Sequence, residues 1–255
     1  MDAAPNASPA RSLLIALPMY GAVEPVFLLS CLALTHALVA AGIEHQFLPL
    51  VGESHITRGR NRLVHHFVTK CTQTDLLFLD CDLGFDAETV LRLVRSGFDV
   101  VGAPYPLKTF PSRPVCSVSD AAMEEMRTRP NSPDTDGFVR AYDVPTGCLL
   151  IRRRVFDRLR EIVPTYRDDT EPDPAKREIQ SLFFDDGVED GSRPDSRWLS
   201  EDYWFVRMAQ LAGFETYVDA RAKLRHVGKH AFECPSLEEL WATKAAKAPV
   251  ADAAQ

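Results

Sequence analysis

The stretch Leu76–Asp86 reads LLFLDCDLGFD, an apolar run that ends on two aspartates one residue apart, followed by a glycine and a third acid. Such a run suits a strand covered on both faces. At a strand end residues i and i+2 point to the same side, so Asp80 and Asp82 face one ligand together. Two converging carboxylates repel unless something positive stands before them. A divalent Mg2+ or Mn2+ is one answer, because such ions take one or two carboxylates and complete their shell with water and phosphate oxygens. The other is that the acids merely open a turn. The pair alone leaves both readings open; Asp86 is read as the cap of a helix beginning at Ala87.

Outward from this stretch the chain alternates. Ser12–Leu17, His45–Val51, Asp75–Asp80 and Phe98–Ala103 read as strands, and Pro25–Ala41, Arg60–Lys70 and Ala87–Ser96 as helices. This is the pattern of βαβ units, hence of an α/β fold with a mostly parallel central sheet flanked by helices. Ligands of such sheets gather at the carboxyl ends of the strands, which singles out Pro18–Gly21, Gly52–Ser54, Asp80–Asp82 and Pro104–Lys108. In the second half, PTGCLLIRRRVFDRL (145–159) is a strand running into a helix start. Residues 163–197 are rich in Pro, Asp, Glu and Arg and read as a polar lid or disordered loop. Glu201–Ala212 has helical spacing and Phe214–Val218 is strand-like. Residues 1–11 and 241–255 read as flexible ends around a single domain, 12–240.

Whole-chain quantities narrow the function. The 255 residues are 45% hydrophobic and 25% charged, enough for a sizeable core. A net charge of -7 without a long basic run argues against a nucleic-acid partner. The six cysteines show no CxxC pair, which suits a reduced cytosolic setting. No signal-peptide core precedes Arg11. Val26–Ile43 is an uncharged run of 18 residues, but Pro25 is a good first helical residue, Gly42 a good stop, and a strand follows at once. It is read as a buried or half-buried helix and not as a membrane span.

The segments LPMYG, GRNRLV, LFLDCDLGF, VGAPYPLK, PTGCLLIRR, SEDYWFVRMAQLAGF and LRHVG occur in one order between Leu17 and Gly228. Together they resemble the GT-A-fold glycosyltransferases, particularly bacterial and viral family 2-like members and relatives of the fungal Anp1-type mannosyltransferases, over about residues 12–230. The resemblance implies a Rossmann-like GT-A domain with a nucleotide-sugar half (12–108) and an acceptor half (109–240). It also implies a UDP- or GDP-sugar donor, a Mn2+ or Mg2+ ion, and a glycan or glycolipid acceptor. Pro18 and Tyr20 would touch the nucleoside, Glu53 the base or ribose, and Arg60 and Asn61 the diphosphate or ribose, with Lys108 in the same donor-binding set. A guanidinium near a helix N-terminus adds a fork of donors to an already positive helix end.

By the same resemblance Asp82 is the direct metal ligand and His226 the second. Asp80 either joins them or contacts the ribose or donor sugar. Lys229 and His230 would neutralise the departing diphosphate. Asp202 would be the general base of an inverting reaction, or would orient substrate in a retaining one, and Glu201 would support the acceptor or its loop. The plain alternative for the pair is a helix start that offsets the dipole. Asp185, Asp186, Glu189 and Asp190 are substitutes for the base or simply a solvated loop, and Trp198, Tyr203 and Trp204 could stack on sugar faces. A cytoplasmic enzyme at the inner face of the membrane, without a transmembrane segment, is the implied setting. The competing readings are a Mg2+-dependent haloacid-dehalogenase-like phosphatase and a non-catalytic sugar-nucleotide or glycan-binding module.

Overall fold

In the computed structural model, which describes residues 11–128 and 136–247, the apolar runs become strands buried on both sides. The first half is β1 (Ser12–Met19), α1 (Pro25–Ala40), β2 (Glu44–Val51), α2 (Ile56–Lys70), β3 (Asp75–Leu79), β4 (Leu83–Gly84), α3 (Ala87–Arg95) and β5 (Val100–Gly102). The second half begins with α4 (Asp120–Thr128), β6 (Phe138–Arg140), β7 (Cys148–Arg152) and α5 (Arg153–Leu159). It continues with β8 (Thr165–Arg167), β9 (Ile179–Ser181), β10 (Gly187–Val188), β11 (Trp198–Leu199) and α6 (Glu201–Leu211). Last come β12 (Thr216–Asp219), β13 (Arg225–Val227), β14 (Ala231–Phe232) and α7 (Leu237–Lys247).

A seven-stranded sheet of order β2-β1-β3-β7-β5-β12-β6 forms the centre. β2, β1, β3, β5 and β12 run one way, while β7 is reversed between β3 and β5 and β6 is reversed at the edge. Alternate residues of each strand enter opposite cores. Leu14, Ala16, Leu76 and Phe78 meet Leu63, Val64 and Phe67 of α2, Phe156 of α5 and Phe205 of α6. Leu13, Ile15, Leu77 and Leu79 meet Phe27, Leu34 and Leu38 of α1 and Val90, Leu93 and Val94 of α3. The protein is thus a three-layer α/β domain, because a sheet buried on both faces needs helices on both.

α1 starts with Pro25 in its first turn, and the chain turns out of it at Gly42 with φ 67°. Phe27, Ser30, Leu34 and Leu38 are buried, while Leu28, Leu29, Leu32 and Val39 on the outer side stay exposed. Among the described residues no helix is long and apolar enough to cross a membrane.

Three expectations need correction. Residues 163–197 are not a featureless polar loop: β8 pairs with β9 around a 3-10 turn (Pro174–Lys176), and β10 pairs with β11. The reason is the Phe183–Phe184 pair, which is fully buried between Phe78, Phe156 and Phe205. The tail expected after Trp241 begins inside α7, whose start is fixed reciprocally: Glu239 N–H donates to Ser236 Oγ (3.2 Å) and Ser236 N–H to Glu239 Oε2 (2.9 Å). Asp86 stands at the N-cap position of α3, yet its side chain makes no capping bond. The expected flexible ends 1–10 and 248–255 lie outside the described residues.

Candidate functional site

The loop after β3 is pinned from three sides by its backbone. Asp80 N–H donates to the Gly147 carbonyl (2.9 Å), Glu24 N–H to the Cys81 carbonyl (3.2 Å) and Val227 N–H to the Asp82 carbonyl (2.8 Å). Immediately after it, β4 pairs antiparallel with β13 so that Leu83 stands opposite His226. That short ladder places the histidine beside Asp82 across 144 residues of sequence. Gly84 is needed for the close approach of α1, since a Cβ there would lie 2.6 Å from Val26 Cγ2.

The strand ends enclose a cleft of about 520 Å3. β1 brings Pro18 and Tyr20, the β3 loop Asp80 and Asp82, and α2 brings Arg60. Tyr105 and Lys108 follow β5, Thr146 precedes β7, and Glu201 and Asp202 open α6.

Two ionic groups organise this cleft. Arg60, only 2% exposed, donates from Nε to Glu201 Oε1 (3.1 Å) and from Nη2 to Asp80 Oδ1 (3.2 Å), with its guanidinium over the Phe78 ring. Despite burial, Asp80 and Glu201 hold it firmly charged. Burial pushes the Asp80 carboxyl up, Arg60 opposes this, and Asp82 and Glu201 add to the rise. In the second group Asp82 Oδ2 accepts from Lys108 Nζ at 2.6 Å and faces His226 Nε2 at 3.4 Å, while its Oδ1 is buried without a partner. Burial raises the Asp82 carboxyl, but His226 and Lys108 outweigh it and hold the group below the usual range.

His226 Nδ1 lies 2.8 Å from the Pro106 carbonyl. A carbonyl only accepts, so Nδ1 carries a proton and Nε2 is the ring nitrogen turned towards Asp82. A ring nitrogen oriented by a second hydrogen bond, an aspartate beside it and an unpartnered buried carboxylate oxygen fit a hard divalent cation. Asp80 does not join them, because its carboxylate is turned to Arg60. Among the described residues no group of three or more His, Cys, Asp and Glu side chains gathers as a metal cluster. Of the three expected ligands, Asp82 and His226 face each other here and Asp80 faces Arg60.

At the mouth of α6, Asp202 Oδ1 accepts from Ser200 Oγ and from Tyr203 N–H. Burial raises the Asp202 carboxyl, and the neighbouring Glu201 charge raises it further. Sequence reasoning missed Tyr105, although it lies in a strand-end segment. Its half-buried ring packs edge-on against His226 (5.0 Å between centroids) and tightly over Gly147.

Four residues expected at the donor do not line the cleft: Glu53, Asn61, Lys229 and His230. Glu53 is saturated by Arg58 (2.8 and 2.9 Å) and by the His55 N–H, which hold its carboxyl down at about 2, and it does not line the cleft. Asn61 is 1% exposed and has every polar atom engaged elsewhere: Nδ2 on the Thr57 and Phe184 carbonyls, Oδ1 on the Phe183 and Phe184 N–H groups. Lys229 is exposed in the turn between β13 and β14 and does not line the cleft, and the His230 ring sits against Phe110 and Phe232. Of the loop acids, Glu189 pairs with Arg207 and Asp190 holds Ser192. Trp198 is exposed on β11, and Tyr203 lies under the Arg197 guanidinium.

Fold and site together define a mixed α/β protein with an acidic cleft at the carboxyl edge of its mostly parallel sheet. Among solved structures it is similar to the crystal structure of A197 from STIV, with 19% sequence identity, 88% of this chain and 90% of that chain covered, and a TM-score of 0.50. At that identity the likeness is one of fold. No protein-family model and no curated protein matches the sequence.

Proposed function

We propose that this chain is a metal-dependent glycosyltransferase of GT-A fold that moves a sugar from a nucleoside-diphosphate sugar to a hydroxyl of a glycan or glycolipid. The observation that carries the reading is the meeting of Asp82 and His226 at one wall of the cleft with Asp202 in the same cleft at the start of α6. The order of motifs from LPMYG to LRHVG supports it independently of the geometry.

Asp82 and His226 would hold Mn2+ or Mg2+, which supplies charge stabilisation for a leaving diphosphate. Pro18 and Tyr20 form the side of the cleft nearest β1 and take the nucleoside. Arg60, fixed by Glu201 and Asp80, holds a permanent positive charge at the base of the cleft and keeps both carboxylates in place. Glu201 is therefore a positioning residue. Asp202 keeps Oδ2 free while Oδ1 is anchored, so it can take the proton of an attacking hydroxyl, and its raised carboxyl makes it a better base than an ordinary aspartate.

The test is a thermal-shift panel of UDP-, GDP- and CMP-sugars with and without Mn2+. One donor should raise Tm with metal and lose that effect on chelation, and Asp202→Asn should keep the shift while losing slow donor hydrolysis. No response from any donor would reject the proposal. Tight metal-dependent binding with no turnover on any acceptor would make the chain a binding module instead.

A further inference from the structure

We propose that Lys108 is a positioning residue that stands in for the metal's charge at Asp82 in the ligand-free protein and passes to the donor diphosphate when a divalent cation arrives, so that metal and nucleotide are taken up together. The inference rests on the glycosyltransferase reading of the same cleft.

Lys108 and His226 address the same oxygen, Asp82 Oδ2, at 2.6 and 3.4 Å. The ammonium is thus the counter-charge at a carboxylate of the cleft whose other oxygen is buried without a partner. A dication held by Asp82 cannot share that oxygen with an ammonium, since like charges at such separations repel strongly where water is partly excluded. One of the two must move, and Lys108 is built to do so. Its side chain is 37% exposed and reaches Asp82 along Gly228, where a Cβ would stand 3.3 Å from Lys108 Cδ and narrow the track. Arg60, the other cation of the cleft, is buried and bonded to two acids and cannot follow.

The base of the Lys108 side chain stays fixed while its tip moves. Leu107 N–H donates to the Arg113 carbonyl and Val115 N–H to the Tyr105 carbonyl, both at 2.9 Å. The Pro106 carbonyl of the same segment orients His226. One loop therefore presents both the ring that would receive the cation and the charge that yields to it. Of the other carboxylates lining the cleft, Asp80 and Glu201 are taken by Arg60 and only Glu24 and Asp202 remain, single charges against which an incoming diphosphate, carrying more than one, is the stronger partner for the displaced ammonium. An ammonium on a flexible four-carbon stem suits such a transfer, whereas a forked guanidinium would not.

The experiment is a Mn2+ titration of the full chain by electron paramagnetic resonance, for wild type and Lys108→Met, alone and with UDP or GDP. Without nucleotide, Lys108→Met should bind Mn2+ about tenfold more tightly, ~1.4 kcal/mol. Nucleotide should tighten Mn2+ binding more in wild type than in the variant, and Mn2+ should tighten nucleotide binding by the same factor. Lys108→Gln should repeat the result, and Asp82→Asn should lose Mn2+ binding. Equal or weaker Mn2+ binding by both Lys108 variants without nucleotide would overturn the proposal and leave the metal site standing. Absence of Mn2+ binding in wild type and variants, with nucleotide present, would overturn it together with the metal-dependent reading. The Lys108 pair is a half-exposed ion pair whose removal has little effect on folding, so the variants remain measurable.

Discussion

Replacing Asn61 by alanine separates two accounts of this residue. In the structure Asn61 is a clamp: its Oδ1 receives the N–H groups of Phe183 (2.8 Å) and Phe184 (2.9 Å), and its Nδ2 donates to the Phe184 carbonyl (2.7 Å). Asn61→Ala strands these three buried backbone groups. Each costs about 1–3 kcal/mol when left unpaired, and with partial relaxation the loss should be roughly 3–5 kcal/mol. For a domain of this size, roughly 2–4 °C per kcal/mol lowers Tm by about 6–20 °C. The effect should spread, because Phe184 stacks on Phe205 of α6 at 4.6 Å between centroids, and α6 carries Glu201 and Asp202. Urea denaturation followed by circular dichroism measures the stability, and nucleotide titration below the transition measures binding. Stability within about 1 kcal/mol of wild type, with nucleotide binding abolished, would refute the clamp and return Asn61 to the donor site.

Two other perturbations test the cleft. The acidic limb of kcat/KM should lie above the ordinary carboxylate range, since burial and then Glu201 raise Asp202 and its protonated form cannot accept the acceptor's proton. Glu201→Gln removes that neighbouring charge, so the limb should move to lower pH even as the rate falls through loosening of Arg60; an unchanged limb, or one moved to higher pH, would remove Asp202 from the role. Gly147→Ala would put a Cβ 2.6–2.9 Å from three atoms of the Tyr105 ring. The ring must shift against His226, so stability should fall by about 1–3 kcal/mol and Mn2+ affinity with it; wild-type values in denaturation and Mn2+ titration would contradict the packing argument.

What could be read from the sequence follows the range of the forces involved. β1, β3 and β7 are legible because a strand buried on both faces is a continuous apolar run, and α1 and α3 because their ends carry Pro25 and Gly42, or an amphipathic period. β8 to β11 are not legible, since strands of two or three residues owe their existence to partners elsewhere. The only local signal in that segment was the adjacent Phe183 and Phe184 in otherwise polar surroundings. α7 was legible and overlooked: SLEE at 236–239 is a capping pattern before an apolar residue. Within the site, the strand-end rule found Asp80, Asp82, Lys108 and Tyr20. That rule failed at Glu53, and the motif resemblance at Asn61: a polar side chain beside a motif is satisfied by Arg58 in the one case and by a backbone 123 residues away in the other. No local pattern distinguishes a side chain aimed at a ligand from one aimed at a distant carbonyl.

The electrostatics of the cleft bear on the metal apart from any motif. Its lining includes five carboxylates, from Glu24, Asp80, Asp82, Glu201 and Asp202, against two permanent cations, Arg60 and Lys108. Arg60 is spent on Asp80 and Glu201, and Lys108 on Asp82. A nucleoside diphosphate is itself an anion and would meet a surface whose carboxylates outnumber its cations, each of which already faces an acid. A divalent ion at Asp82 would change this twice: it would offset the carboxylate excess directly, and on the proposal above it would release the Lys108 ammonium towards the phosphates. A requirement for metal would on this view be a property of the charge balance, and substituting acids that are not ligands should relax it. Glu201→Gln should therefore raise nucleotide affinity measured in chelator while leaving Mn2+ affinity at Asp82 nearly unchanged. A titration showing no gain in metal-free binding would place the origin of the requirement in ligation alone.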